Sequence, residues 1–106
     1  MIIKGNFGRL IQRLRRENNW TVQELINKIG PVDGRPLSLS YISKVEIYNE
    51  IPKPNIVFKL AEAFGKNEKE LLDLAKQEKI EDLKIKLEAK YDDALVFYRK
   101  TKKGTR

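Results

Sequence analysis

Thr21-Val22-Gln23-Glu24 leaves the backbone little choice. The threonine hydroxyl can accept from a free amide of a starting helix while the glutamate three residues on reaches back, the reciprocal arrangement of a capping box. Val22, Leu25, Ile26 and Ile29 follow at helical spacing, and Gly30 supplies the stop. Pro31-Val32-Asp33-Gly34-Arg35-Pro36 cannot continue a helix, because both prolines and the Asp-Gly pair signal turn. Ser38 then caps a third helix that ends near Ile47. Two short helices separated by one break must share an apolar corner.

The third helix is two-sided. Ile42, Val45 and Glu46 fall together at about 100° per residue, with Leu39 at the margin. Ser40 and Lys44 point the other way, and Tyr41 and Tyr48 flank them. A helix with a small inner face and a polar, basic outer face presents its back to a partner. Around this pair the spacing predicts a first helix over residues 6–18, with Phe7, Leu10, Ile11 and Leu14 inward. The stiff Ile51-Pro52-Lys53-Pro54 connection leads to a fourth helix over residues 55–64, burying Ile56, Leu60, Ala61 and Phe64. Asn67 caps a fifth, with Leu71, Leu72 and Ala75 inward. Residues 1–76 thus form one all-helical domain of five short helices.

From residue 78 to about 100 there is neither proline nor glycine. Ile80, Leu83, Leu87, Tyr91, Ala94 and Tyr98 step by three or four residues, close to a heptad seam. Such a stripe packs back on the domain or zips against another helix. Ile85, Leu95 and Phe97 lie off it, which favours a dimer in which the helix also touches the domain. The acidic residues of 78–93 read mostly as a solvated face. Residues 101–106 are a basic tail.

Composition narrows the chemistry. The 106 residues contain no cysteine and no histidine. That removes disulfides, thiolate ligands, the usual general base and the commonest neutral metal ligand. No nucleophile–base pair and no carboxylate cluster with metal spacing remains, so no catalytic residue, metal or cofactor is expected and the chain does not read as an enzyme. No window approaches a membrane span, and Met1-Ile2-Ile3-Lys4 is too short for a signal peptide. A cytoplasmic, soluble protein is expected. The net charge of +7 suits something that meets polyanions, and the excess sits at the two ends of the chain.

At this point the sequence resembles the phage-repressor/Cro, or XRE, type of helix-turn-helix regulator. The resemblance spans residues 7–75. It rests on Leu14-Arg15, on Trp20 to Ile26, on Tyr41-Ile42-Ser43-Lys44-Val45-Glu46, and on Pro52 followed by Phe58 to Gly65. It implies that Leu39, Ser40, Tyr41 and Lys44 touch base edges and phosphates of double-stranded DNA. It also implies that Thr21 and Gln23 bind a phosphate at the start of the second helix, and that Asn49 and Lys53 grip the backbone. Arg15 and Glu46 match an ion pair that in relatives ties the first helix to the third. Three departures stand out. Val22 replaces a usual glutamine, and Tyr48 a usual glycine, leaving Asn49 to supply the left-handed turn. The third is the turn of residues 31–37, longer than the three or four typical, with Arg35 near its tip.

The chain therefore reads as a sequence-specific DNA-binding regulator, a repressor that places residues 38–47 in the major groove as a homodimer through the helix over residues 77–100. The runner-up is an antitoxin-like or adaptor protein whose C-terminal helix binds another protein.

Overall fold

The computed structural model describes residues 6–104, with side chains through Thr101. Met1 to Lys4 and the basic side chains beyond Thr101 lie outside the described residues. There are five helices: α1 (Asn6–Glu17), α2 (Val22–Ile29), α3 (Leu39–Tyr48), α4 (Pro54–Phe64) and α5 (Glu68–Gly104). Phe7, Ile11, Leu25, Ile42, Val45, Val57 and Leu60 are fully buried and form the centre of one core. Leu71 and Ala75 close it from the α5 side. Phe64, expected inside, is only half-buried and stacks on Trp20 with ring centroids 5.6 Å apart, while Val57 takes the buried place.

The ends of the helices are set by local chemistry. The Thr21 hydroxyl accepts from the Glu24 amide at 3.1 Å and the Glu24 carboxylate accepts from the Thr21 amide at 2.8 Å. Ser38 caps α3 by accepting from the Tyr41 amide. Asn49 closes α3 in the left-handed conformation, with φ 55° and ψ 40°. Pro54 opens α4 and Gly65, with φ 65°, ends it.

The long turn is built rather than slack. Val32 and Arg35 exchange both backbone hydrogen bonds, at 2.7 and 3.1 Å, as a one-bridge antiparallel pair. Asp33 and Gly34 between them both have positive φ, 52° and 81°, as a type I′ turn requires. The insertion is a miniature hairpin, with Arg35 exposed on its flank.

The C-terminal region differs from expectation. The fifth helix and the rod after it are one helix of 37 residues, about 55 Å long at 1.5 Å per residue. No break separates residues 76 and 77, and the helix continues past residue 100 into the basic tail. Nothing between Asn67 and Gly104 breaks a helix, and the change of apolar pattern near residue 78 is a change of face. The first half packs on the domain, and Asp82 and Ile85 are the last half-buried residues. From Lys86 to Thr101 every residue is exposed. The rod does not pack back, and the molecule measures 64 × 26 × 21 Å. Among the described residues no helix is long and apolar enough to cross a membrane.

Candidate nucleic-acid interface

Three devices hold α3 from behind. The first is a close crossing with α1 at Gly8, which is buried. A Cβ there would run into the Val45 carbonyl oxygen, with the Glu46 carbonyl oxygen at 3.0 Å. Only glycine lets the two backbones approach this closely. The second is a bidentate ion pair. Arg15 Nε donates to Glu46 Oε2 at 2.7 Å and Nη2 to Oε1 at 2.9 Å, while Nη1 donates to the Trp20 carbonyl at 2.9 Å. The two side chains are 12% and 4% exposed. The hydrogen bond to Glu46 raises the guanidinium's pKa and outweighs the burial that opposes it. One arginine therefore ties α1, the entry to α2 and the inner face of α3.

The third device escaped the sequence reading. Asn49 Oδ1 accepts from the Gly8 amide at 2.8 Å, and its Nδ2 donates to Glu78 Oε1 at 2.9 Å. The same Glu78 oxygen accepts from the Phe7 amide at 3.0 Å. The first turn of α1 carries no acidic residue of its own. Glu78, 71 positions away, supplies the negative charge that the positive end of that helix favours. Its other oxygen is buried with no hydrogen-bond partner among the described residues. Glu78 is thus not part of a solvated acidic face. No local pattern marks it, because the partners lie so far away in the chain. Gly8 did leave a signal: a glycine inside an otherwise good helix needs a reason.

Held this way, α3 turns one face outward. Ser40 and Lys44 are exposed, and Leu39 is 53% exposed at the helix start. Ile47, seven residues after Ser40 and on the same stripe, is 66% exposed. In the sequence this apolar residue falls at the expected end of the helix, where nothing marks it as part of the outer face. Tyr48 is exposed beside it. Tyr41 departs from expectation: it is half-buried against the core instead of turned outward. Its ring covers the core edge, and burial, aided by the charge of Glu50, pushes its phenol pKa up. The hydroxyl accordingly stays protonated, and so a donor, beyond the ordinary tyrosine range.

The remaining candidates are scattered around this face. Thr21 and Gln23 are exposed at the N-terminus of α2. Thr21 is engaged in its capping box, and Gln23 Nε2 donates to Asn27 Oδ1 at 3.1 Å. Lys53 is exposed and precedes α4 without a side-chain cap. Asn49, expected to grip DNA, has both amide atoms engaged inside the protein, so its side chain serves the joint just described. Trp20 is half-buried, with Lys28 Nζ 5.5 Å from its ring centroid. Of the seam residues, Ile80, Leu83, Leu87, Tyr91 and Tyr98 are each at least 52% exposed. Ala94 is exposed too. Ile85, off the seam, lines a groove between α5 and the Tyr48–Asn49 corner.

A short helix fixed by its inner face and bare on its outer face is what a major-groove reader needs. The comparisons agree with the geometry. A helix-turn-helix family model matches residues 11–71, more than half of the chain. No curated protein and no solved structure matches it significantly. The matched segment runs from the middle of α1, through the capping box and the outward face of α3, to the start of α5, and on that match the chain belongs to the XRE-type helix-turn-helix family of DNA-binding transcription regulators.

Proposed function

We propose that the chain is a sequence-specific repressor that reads the major groove of double-stranded DNA with the outer face of α3, as a homodimer. The observation that carries this is the asymmetry of α3. Its inner face is locked by Gly8, the Arg15–Glu46 pair and Asn49, while Ser40, Lys44 and Ile47 stand exposed. Lys44 donates to guanine O6 and N7 or to a phosphate, Ser40 to either, and Ile47 meets a thymine methyl group. Thr21 and Gln23 approach a phosphate from the start of α2, and Lys53 a second from the loop before α4. Tyr41 and Leu39 border the base-reading face. Repression follows from occupancy, since a protein seated on a promoter excludes polymerase. Two copies double the contacts and set half-sites about one helical turn, roughly 34 Å, apart.

The test is selection of bound sequences from random duplex DNA, followed by binding of Lys44→Ala and Ser40→Ala variants to the selected site. Each variant loses discrimination between that site and random duplex, by about 1–3 kcal/mol per lost base contact, with its melting temperature nearly unchanged. Full discrimination in both variants excludes α3 as the reader. A reporter placed behind the selected site gives the sign of regulation.

One observation favours a second reading, an antitoxin-like or adaptor protein that binds another protein through α5. Phe97 is 71% exposed, Leu95 47%, and neither belongs to the six-residue seam. A chain that remains monomeric at high concentration supports this reading, and a stable dimer counts against it.

A further inference from the structure

On α5 the residues that face the domain and the residues of the exposed stripe lie on opposite sides. Leu71 and Ala75 are buried, Glu78 is bonded to α1 and α3, and Asp82 and Ile85 are the last half-buried positions. At about 100° per residue these five positions centre on one side of the helix. Ile80, Leu83, Leu87, Tyr91 and Ala94 centre roughly 160° away from it. The stripe therefore faces directly away from the domain that the helix belongs to, and a partner seated on it meets no obstruction from that domain.

The stripe also has its own period. Its steps run 3, 4, 4 and then 3, 4, so the pattern recurs after 11 residues: Ile80 with Tyr91, Leu83 with Ala94, Leu87 with Tyr98. An 11-residue repeat is slightly longer than three ideal turns, so two helices joined along it run nearly straight with a weak right-handed coil. A heptad would instead bring Lys90 and Phe97 into the seam. Leu95 and its counterpart one period earlier, Lys84, border the stripe on one side, where the lysine's aliphatic stem lies along the seam and its ammonium reaches water.

The flanks carry opposite charge. Glu81 and Glu88 lie on one side of the stripe, with Lys84 between them and the seam, and Lys79, Lys86 and Lys90 lie on the other, where Lys86 also pairs with Asp82 of its own helix at 3.0 Å. In a parallel two-fold pair the acidic flank of one helix faces the basic flank of its partner. In an antiparallel pair the three lysines face their own copies. We infer that a second copy of this chain seats on the face of α5 opposite the domain, parallel and in register, along the 11-residue repeat. The pairing rests on the homodimer proposed above and specifies its face, direction and period. Both domains then sit at one end of the rod, on its two outer sides, as the two half-sites of a symmetric operator require.

The absence of cysteine makes the test clean, because every thiol is an introduced one. Ile80→Cys, Leu87→Cys, Tyr91→Cys and Ala94→Cys change exposed positions and leave the core untouched. Under mild oxidation each of the four is expected to run as a disulfide-linked dimer, whereas Ala89→Cys, on the domain side of the helix, and Phe97→Cys remain largely monomeric on the gel. Only a parallel pair lets Ile80→Cys and Ala94→Cys both link to themselves, since an antiparallel pair brings at most one position opposite its copy. Sedimentation of the unmodified chain is measured alongside. A dimer that links through residue 89 overturns the face, one that links through 97 but not 91 overturns the period, and one that does not link at both 80 and 94 overturns the direction. In all three the homodimer stands. A monomer at all concentrations overturns both the pairing and the homodimer.

Discussion

The two halves of α5 share one backbone and obey different rules. Up to Ile85, positions spaced four and three residues apart turn toward the domain, where they are buried or hydrogen-bonded. Beyond Ile85 the same face continues with Ala89 and Val96 but has nothing to rest on, and the apolar weight moves to the opposite side. An apolar stripe on a helix thus does not say what it serves. Its angle relative to the anchored face does. A stripe on the anchored side belongs to the chain's own core, and one turned away from it is free to serve another molecule.

The contrast can be broken hardest at the anchored end. Glu46→Ala leaves the nearly buried Arg15 guanidinium without its carboxylate, and a loss of about 3–5 kcal/mol is expected in denaturant unfolding. Gly8→Ala pushes a methyl group into the α3 backbone. It should cost about 1–3 kcal/mol and weaken DNA binding beyond what the stability loss explains, because it displaces α3. Glu78→Ala removes the acceptor shared by Phe7 and Asn49, for about 1–3 kcal/mol. At the free end the expectation reverses. Leu87→Glu should leave unfolding of the dilute monomer within about 0.5 kcal/mol of the parent, while sedimentation shows self-association abolished. A large stability loss in the dilute Leu87→Glu monomer would mean that the rod is part of the core after all. The smallest effect sharpens the comparison at the tip. Removing residues 102–106 should flatten the salt dependence of binding equally for selected and random DNA if those cations meet phosphates.

Most of the domain was legible because its punctuation is local. The Thr21–Glu24 box, Ser38, Gly30 and Gly65 act through neighbours three or four residues away, so a single sequence displays them. The outward face of Ser40 and Lys44 followed from helical rotation alone. What stayed hidden depends on distant partners. Glu78 looks like any surface glutamate until α1 and α3 are brought beside it. Tyr41 looks outward by angle, but a large ring can bend back over the core edge. The apparent boundary near residue 77 has the same origin: a stripe that changes face resembles a new element, although continuity depends only on the absence of breakers. The hairpin of residues 32–35 was half visible, since Asp33-Gly34 announces a turn but not the pair of bonds that closes it.

Glu78 joins the foot of the rod to Asn49, the cap that ends α3, and to the first turn of α1. The bare half of α5 extends about 28 Å beyond the point where it leaves the domain, at 1.5 Å per residue. A side load at its far tip acts as on a long-handled wrench, with its fulcrum at the bond between that carboxylate and Asn49. Whatever grips the handle also sets the angle of the bit.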